Sequence, residues 1–306
     1  MAGSSAPAAR NSVAIIGLGS IGGIAAGCLR DADRHDIVIC ARHPVERLTL
    51  ERPDKTIAAD LRTLTDPAEA KRVDWVLMCT KTQQTPSTAP WLARLCDSAT
   101  RVAVLQNGIG HAERLAPLAG GATVVPTIVY FNGERLALDR VRLRPVGEHD
   151  LAVADDAHGR DFVRLMQGTS LRVFPSEDFA TLSWRKLLIN AVANPVTALT
   201  LQRQAVFRRD DIEALCMSIL DEAVAVGRAA GAKLDADESA QIMARLLTYP
   251  PEAGTSMYFD RAAGRALEVE ALTGAIVAAG RRFGIATPLN GALAALLRAV
   301  SDAAGK

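Results

Sequence analysis

The sequence predicts an α/β protein in which a doubly wound parallel sheet is followed by an all-helical domain. Two observations indicate this. In the first half, short apolar runs alternate with segments of helical spacing, and several runs end in glycine or polar turns. From Phe179 onward strand-like alternation disappears, and helical spacing continues nearly to the end of the chain. The boundary is therefore predicted near residue 178, giving domains of 1–178 and 179–306.

The composition excludes several function classes. The chain has 306 residues, of which 49% are hydrophobic and 23% charged, as in ordinary globular proteins. Lys and Arg number 35 against 34 Asp and Glu, so the charge gives no reason to expect a nucleic-acid or membrane partner. The opening MAGSSAPAARNS lacks the apolar segment of a signal peptide, and residues 1–12 are expected to form a disordered tail.

Cysteine and histidine patterns favour a reducing cytoplasm and give no metal site. The five cysteines form no C-x-x-C pair, and most lie in apolar runs, which is typical of buried free thiols. The five histidines are scattered without ligand spacing. We therefore expect a cytoplasmic protein that binds no metal.

A glycine motif follows the first predicted strand, residues 13–16, and a second strand follows at 36–40. The motif reads Gly17, Leu18, Gly19, Ser20, Ile21, Gly22. Strand, G-x-G-x-x-G, helix and strand within about 30 residues are typical of a Rossmann-like dinucleotide-binding unit, with the phosphates at the helix N-terminus. Gly17 would allow the tight turn, Gly19 the approach of the pyrophosphate, and Gly22 close helix packing. A glycine-rich turn without a ligand is the alternative.

The end of the second strand favours NADP over NAD. An NAD-binding fold usually has Asp or Glu there, but the segment reads Cys40-Ala41-Arg42-His43. Arg42 lies 42 − 22 = 20 residues beyond Gly22, where a guanidinium can pair with a 2′-phosphate. An ordinary surface arginine is the alternative.

The remaining predicted strands of the first domain lie at 74–79, 101–105, 122–127, 136–154 (an antiparallel extension) and 171–174, and a short helix begins at Phe162. Lys81 and Asn107 follow two of these strands. Ligands of open α/β sheets bind at the carboxyl ends of the strands, so both residues are candidates to face the cofactor or substrate. Asn107-Gly108 is also a common turn dipeptide on its own.

Helices in the second half are predicted at 179–201, 209–231, 235–248, 256–283 and 287–303. On the first of them Lys186, Asn190 and Asn194 fall within an arc of about 80°, at about 100° per residue. The neighbouring positions are apolar, so we expect this polar stripe to face a half-dry cleft between the domains, where the active site would lie. Partial burial would lower the pKa of Lys186 toward neutrality, as a general acid requires. A stripe facing water is the alternative.

Two further residues of this half are candidates with simpler alternatives. Ser256 is read as a helix N-cap. Glu268 lies in an otherwise apolar segment read as helix, where a solvated face or an ion pair with Arg265 is the simpler explanation.

Seven segments, taken in order, form a recognisable set: GLGSIG at 17–22, Arg42, Thr80-Lys81, QNGIG at 106–110, WRKLLINAVANP at 184–195, TSM at 255–257 and LEVEALTG at 267–274. On these segments the chain from about residue 13 to 300 resembles the ketopantoate reductase (2-dehydropantoate 2-reductase) family. Three positions depart from the family pattern: Ala253 stands where Asn is common, Gln106 where His is known, and Thr273 where Asn is common.

The resemblance implies roles for individual residues. Lys186 resembles the catalytic general acid, and Glu268 its acidic partner, which holds the substrate hydroxyl. Asn107, Asn190, Asn194 and Ser256 resemble substrate-binding residues. The residues that resemble NADPH contacts are Gly17, Leu18, Gly19, Ser20, Ile21, Gly22, Arg42, Lys81 and Asn107.

The expected function is NADPH-dependent reduction of a 2-oxo acid, with 2-dehydropantoate as the first candidate and pantoate, an intermediate of the pantothenate and coenzyme A pathway, as the product. The expected partner is this small molecule, and a homodimer is left open. A reductase of another 2-oxo or 3-oxo acid, and a non-catalytic NADPH-binding sensor, are the alternatives.

Overall fold

The structure, a computed structural model, describes residues 10–304. The chain divides into two compact units: residues 1–106 with His111–Glu177, and Asn107–Gly110 with Asp178–Lys306. The predicted α/β class, a parallel sheet with helices followed by a helical region, is confirmed.

The disordered tail predicted over residues 1–12 can be compared with the structure only at its last three residues. Residues 1–9 lie outside the described residues, but the prediction is wrong for 10–12. The Arg10 guanidinium pairs with the Asp33 carboxylate, with 3.0 Å between Nη2 and Oδ1. Ser12 already belongs to the first strand, and its backbone N–H donates to Asp74 Oδ2 at 2.7 Å.

The first unit contains thirteen strands within the described residues: β1 Ser12–Ile16, β2 Asp36–Cys40, β3 Arg47–Glu51, β4 Thr56–Asp60, β5 Thr63–Leu64, β6 Trp75–Met78, β7 Arg101–Val104, β8 Thr123–Pro126, β9 Ile128–Val129, β10 Asn132–Ala137, β11 Arg140–Arg144, β12 Leu151–Ala154 and β13 Val173–Ser176. Its helices are α1 Ser20–Ala32, α2 Ala89–Leu95, α3 His111–Leu115 and α4 Ala157–Leu165.

The main sheet has the order β5-β2-β1-β6-β7-β8, and its neighbouring strands all pair in parallel. This is the order of a doubly wound dinucleotide-binding sheet, in which the direction of winding reverses between β1 and β6. Both strands are almost continuously apolar and buried, as expected when a sheet is covered on both faces. Ligands of such sheets bind beside this reversal, beyond the carboxyl ends of the strands.

Two smaller sheets complete the first unit. One has the order β10-β11-β3-β4, and the other β13-β12-β9. The predicted extension over 136–154 is therefore an antiparallel hairpin, β10–β11, followed by β12 in a different sheet. The predicted helix is also displaced, because Phe162 lies near the end of α4 rather than at its start.

Helix α1 packs against the four-stranded sheet as well as the main sheet, because one of its faces consists of small residues. A Cβ on Gly23 would lie 2.8 Å from Val141 Cγ1, and one on Gly27 would lie 2.8 Å from Leu50 Cδ2. These distances are shorter than normal van der Waals contact. The absence of side chains here therefore allows the two layers to approach each other.

The helices of the second unit are α5 Phe179–Thr200, α6 Asp210–Ala229, α7 Glu238–Leu247, α8 Ser256–Ala262, α9 Thr273–Phe283 and α10 Pro288–Asp302. Its core forms around α5, where Leu187, Leu188 and Val192 are buried. Among the helices of residues 10–304, none is long and apolar enough to cross a membrane.

One predicted helix is wrong. The segment 256–283 is two short helices, α8 and α9, joined by an extended loop over 263–272. Gly264 has φ +63° and follows the end of α8, and this left-handed conformation is one that glycine adopts without strain. Glu268 therefore lies in a loop and not on a helix.

Candidate functional site

The glycine motif forms the loop between β1 and α1. Gly17 has φ +96°, and a Cβ there would lie 2.8 Å from Thr80 Cγ2. A Cβ on Gly22 would collide with the carbonyl oxygen of Gly17. Gly19 differs, because a Cβ on it would have no heavy atom within 4 Å. The first and third glycines are thus required by packing, whereas the space above Gly19 is open to a ligand.

The N-terminus of α1 faces the same loop. Gly19 is the N-cap residue and has no side chain to accept from the first-turn N–H groups. Ser20 and Ile21 begin the helix, and Leu18 is buried beside them. Uncapped N–H groups and the positive end of a 13-residue helix provide hydrogen-bond donors for phosphate.

Arg42 and Lys81 follow the strands on either side of β1. Arg42 lies just beyond β2, is exposed, and forms no hydrogen bond or ion pair with any other residue between 10 and 304. No acidic side chain occupies residues 40–43. Lys81 lies just beyond β6, is partly buried, and precedes a 3₁₀ helix over Thr82–Thr88. Both residues therefore lie at the carboxyl edge of the main sheet, where ligands of such sheets bind.

We expect Gly22→Ala and Gly19→Ala to have opposite effects. The new methyl at position 22 collides with backbone, so the free energy of unfolding should fall by about 2 kcal/mol. The methyl at position 19 enters open space, so stability should be kept while dinucleotide affinity falls. Urea denaturation and dinucleotide titration measure the two effects. Equal stability of the two variants would contradict this interpretation.

The polar stripe on α5 does not face water. Asn190 is 9% exposed and Asn194 is 3% exposed, whereas Lys186 is partly buried. The alternative of a solvated stripe is therefore excluded for the two asparagines. Buried carboxamides carry donors and acceptors that must be satisfied, which makes them costly as simple packing residues.

Asn194 and Ser256 come together where α5 packs against α8. Asn194 Oδ1 accepts from the backbone N–H of Met257 at 3.4 Å and lies 3.5 Å from Ser256 Oγ. The N-cap prediction for Ser256 is wrong by one residue. Thr255 is the N-cap, its Oγ1 accepting from the N–H of Tyr258 at 3.1 Å. The Ser256 hydroxyl is consequently not used for capping.

Asn107 and Glu268 also come together, within the second unit. Asn107 Nδ2 donates to Glu268 Oε2 at 3.2 Å, and Glu268 is 6% exposed. Gly108 has φ +95°, and a Cβ on it would collide with the carbonyl oxygen of Ala271, so only glycine lets these two loops meet. The suggested ion pair between Glu268 and Arg265 is wrong, because Arg265 Nε donates to Asp260 Oδ1 at 2.9 Å.

Lys186 and its neighbour Arg185 differ in their environments. Arg185 forms a two-pronged ion pair with Glu238, with distances of 2.9 and 3.0 Å, and also reaches Asp235 at 3.0 Å. Burial, together with the smaller effect of the positive charge of Arg245, lowers the pKa of Lys186 to about 8. At neutral pH Lys186 is thus mostly an ammonium that gives up its proton readily, as a general acid should.

We expect Arg245→Gln to raise the pKa of Lys186, because it removes a like charge that disfavours the ammonium. Burial is the larger cause, so the pKa should stay below the ordinary lysine value. Arg245→Lys keeps the charge and should change the pKa less. The chemical shift of the lysine ε-carbon measures it in labelled protein, with Lys186→Met providing the assignment. An unchanged pKa in Arg245→Gln would contradict the assigned cause.

Sequence reasoning missed several contributors. It assigned no role to Arg245, to the Arg185–Glu238 pair, or to Thr80, which contacts the glycine loop. Arg185 is directly next to Lys186, but its partner is 53 residues away and no local pattern identifies it. Within the described residues, no group of three or more His, Cys, Asp or Glu side chains could hold a metal ion.

Comparison with known proteins identifies the family. The ketopantoate reductase PanE/ApbA family matches residues 13–155, and its C-terminal domain matches residues 178–301. The chain is 38% identical to the 2-dehydropantoate 2-reductase of Caulobacter vibrioides over 290 residues, covering 95% of this chain and 99% of that protein. It is also 38% identical to that of Mycobacterium tuberculosis over 295 residues, covering 96% and 99%.

A solved structure agrees with these matches. The dimeric ketopantoate reductase of Staphylococcus aureus superposes with a TM-score of 0.85 at 29% identity, covering 96% of this chain and 100% of that chain. The resemblance inferred from the motifs is confirmed, since both family models match and the relatives align over nearly the whole chain. The chain belongs to the ketopantoate reductase family.

Proposed function

We propose that this protein reduces a 2-oxo acid with NADPH, and that 2-dehydropantoate is the substrate and pantoate the product. The observation that carries the proposal is Lys186, a partly buried ammonium with its pKa lowered to about 8, on the same stripe as two buried carboxamides. The relatives named above as 2-dehydropantoate 2-reductases support the choice of substrate.

Family membership implies a nicotinamide cofactor, and the residues of the first unit favour its phosphorylated form. The loop from Gly17 to Gly22 and the N-terminus of α1 would hold the pyrophosphate. Arg42 would pair with the 2′-phosphate, because the segment after β2 offers a guanidinium and no carboxylate to the ribose. Lys81 would contact the cofactor from the end of β6.

The bound cofactor supplies a hydride to the ketone carbon. Lys186 donates its proton to the carbonyl oxygen, so that charge does not accumulate there. The product hydroxyl can then donate a hydrogen bond to Glu268, which also accepts from the amide of Asn107. A general acid transfers its proton efficiently when its pKa lies near the working pH. Partial burial favours this role in Lys186, because it lowers the pKa toward that range.

The substrate carboxylate needs neutral donors that remain accessible. Ser256 offers a hydroxyl that the helix does not use as a cap, and Asn194 holds this segment through Met257 N–H. Asn190 offers a second carboxamide on the same face of α5. Hydrogen bonds of this kind fix the orientation of a substrate and provide much of the rate enhancement through positioning.

The proposal is tested by NADPH oxidation against a panel of 2-oxo and 3-oxo acids that includes 2-dehydropantoate. We expect the highest kcat/KM with 2-dehydropantoate. A higher kcat/KM with another acid would identify that acid as the substrate and leave the proposed reaction, reduction of an oxo acid with NADPH, unchanged. Binding of NADPH without reduction of any acid would contradict the proposal and favour a sensor.

A reductase of another oxo acid is the second candidate, because the substrate region departs from the family pattern. Ala253 lacks the polar side chain that is common there. Thr273, which stands in place of a common Asn, is fully buried, and its hydroxyl has no hydrogen-bond partner among the described residues. Both differences change the polar groups near Ser256 and Glu268 along the chain.

We expect Arg42→Ala to reduce the preference for NADPH over NADH. Loss of the guanidinium should raise the KM for NADPH about tenfold and leave the KM for NADH nearly unchanged. Arg47→Ala is the matched control, because Arg47 is an exposed arginine at the start of the next strand, 3.9 Å from Asp60. Equal effects of Arg42→Ala on both cofactors would contradict the assignment.

We further propose that the chain forms a homodimer in the cytoplasm. The Staphylococcus aureus ketopantoate reductase is described as dimeric, which supports the first part. All five cysteines are buried and free, as expected in a reducing compartment. Light scattering should give twice the chain mass of 32.4 kDa, and a single chain mass would contradict the dimer.

A further inference from the structure

We propose that Gln106 is a positioning residue for the dinucleotide, because its buried carboxamide holds the loop that carries Thr80 and Lys81. The inference rests on the proposed function only in taking a dinucleotide as the ligand. Gln106 lies just beyond β7 and is 6% exposed. It is also one of the positions at which this sequence departs from the family pattern.

The carboxamide of Gln106 forms hydrogen bonds with two threonines of the neighbouring loop. Its Nε2 lies 3.0 Å from the carbonyl oxygen of Thr80, 3.1 Å from Thr80 Oγ1 and 3.2 Å from Thr85 Oγ1. Thr85 Oγ1 also lies 3.4 Å from Gln106 Oε1. A carbonyl oxygen only accepts, so the NH₂ group must face Thr80 and the amide orientation is fixed by chemistry.

Thr80, which Gln106 holds by hydrogen bonds, packs directly against the glycine loop at Gly17. A Cβ on Gly17 would lie 2.8 Å from Thr80 Cγ2 and 3.0 Å from Thr80 N, so the two loops are packed as closely as a glycine permits. The N–H of Cys79 donates to the Ile16 carbonyl at 2.9 Å directly before this contact. A displacement of Thr80 would therefore disturb the turn at Gly17.

The position of Thr80 also affects Lys81, because Lys81 is the next residue along the chain. Its backbone N–H lies 3.3 Å from Gln84 Oε1, and its carbonyl accepts from the Gln84 N–H at 2.9 Å, which begins the 3₁₀ helix. Gln106, at the end of β7, thus forms hydrogen bonds with both ends of the segment 80–85, at Thr80 and at Thr85. This is the segment that begins beside the reversal point of the sheet.

The test uses Gln106→Glu, which has nearly the same shape. It replaces the NH₂ donor with an oxygen that faces the Thr80 carbonyl, so the loop should move away from its position. We expect the Kd for NADPH, measured by fluorescence titration of the full chain, to rise about tenfold. In steady-state kinetics the KM for NADPH should rise, while the KM for the 2-oxo acid changes little.

Two threonine variants form a matched pair that keeps the test decisive if Gln106→Glu does not fold. Thr85 is 1% exposed and Thr88 is 3% exposed, and both lie in the same 3₁₀ helix. Thr85→Val removes a partner of Gln106 and should weaken NADPH binding. Thr88→Val removes a hydroxyl that donates only to the Thr85 carbonyl at 2.7 Å and should leave the Kd unchanged.

A double-mutant cycle separates positioning from general destabilisation. If Gln106 acts through Thr85, Gln106→Ala and Thr85→Val together should weaken NADPH binding no more than Gln106→Ala alone. Additive effects, or unchanged NADPH affinity in Gln106→Ala at a lowered Tm, would overturn the proposal. Failure of the unmodified protein to bind NADPH would instead contradict the proposed function.

Discussion

Lys186→Ala should lower kcat by about a thousandfold while NADPH still binds with its normal affinity. The substitution removes the proposed proton donor, and water would replace it poorly in a partly buried position. The expected cofactor contacts all lie in other segments, between Gly17 and Lys81 and at Asn107. Single-turnover kinetics measure the loss, and NADPH titration measures the affinity.

A second variant distinguishes loss of the proton from loss of packing. Lys186→Met keeps most of the aliphatic stem but removes the ammonium, so its kcat should fall as far as that of Lys186→Ala. Added primary amines should partly restore activity to the alanine variant, where space is created, and not to the methionine variant. Near-normal turnover in either variant would contradict the assignment of Lys186 as the general acid.

The pH dependence gives an independent check of the same residue. Ketone reduction requires the ammonium form, and the pKa of Lys186 is lowered from its ordinary value to about 8 by burial and by Arg245. The kcat of the unmodified protein should therefore be constant below this pH and decrease above it. This alkaline decrease should disappear in Lys186→Met. Its persistence would mean that another group titrates.

The sequence predicted the parallel sheet well, because the signal for it is local. Buried parallel strands are continuous apolar runs, and the glycine motif marks the turn that follows the first of them. Strands β3 and β4 of the four-stranded sheet were missed, because each is only five residues long. The partner of β3 in this sheet, β11, is distant in the sequence, so local spacing could not indicate the pairing.

The local structure of the loop that contains Glu268 was predicted wrongly for a different reason. Residues 266–272 read ALEVEAL, which has the composition of a helix. Gly264 nevertheless ends α8 with a left-handed conformation, and Gly108 then accommodates the carbonyl of Ala271. The second of these conditions depends on tertiary packing, because Gly108 and Ala271 are distant in the sequence. Glu268 stays a candidate site residue, although its predicted local structure was wrong.

Charge partners were the least predictable feature. The dipeptide Arg185-Lys186 looks like two equivalent cations on a helix. The structure pairs Arg185 with Glu238, a carboxylate that is 2% exposed and distant in sequence, whereas burial and the charge of Arg245 both act on the pKa of Lys186. One cation thus stabilises the packing of α5 against α7, and the other acquires a lowered pKa. Sequence spacing alone gives no means to assign these roles.

Glu268→Gln should lower kcat/KM by about a hundredfold. The change keeps the volume of a side chain that is 6% exposed, and the amide oxygen can still accept from Asn107 Nδ2. It removes the negative charge that we expect to hold the substrate hydroxyl as it forms. The loss should therefore appear in turnover and substrate KM, with little change in Tm or in NADPH affinity.

Glu270→Gln is the matched control, two residues along the same loop. Glu270 forms an exposed ion pair with Arg298, with distances of 2.6 and 3.0 Å, and such pairs contribute little to stability. Its kcat/KM should stay within about twofold of the unmodified value. If the two glutamine variants lost activity equally, the loss would reflect the loop rather than the Glu268 carboxylate.

Glu268→Asp tests the position of the charge as well as its presence. The shorter side chain keeps the carboxylate but withdraws it by one methylene from Asn107, so the 3.2 Å hydrogen bond should be lost. We expect activity between those of the unmodified protein and Glu268→Gln, because a misplaced charge stabilises the product hydroxyl only in part. Full activity in Glu268→Asp would show that the contact with Asn107 is not needed for catalysis.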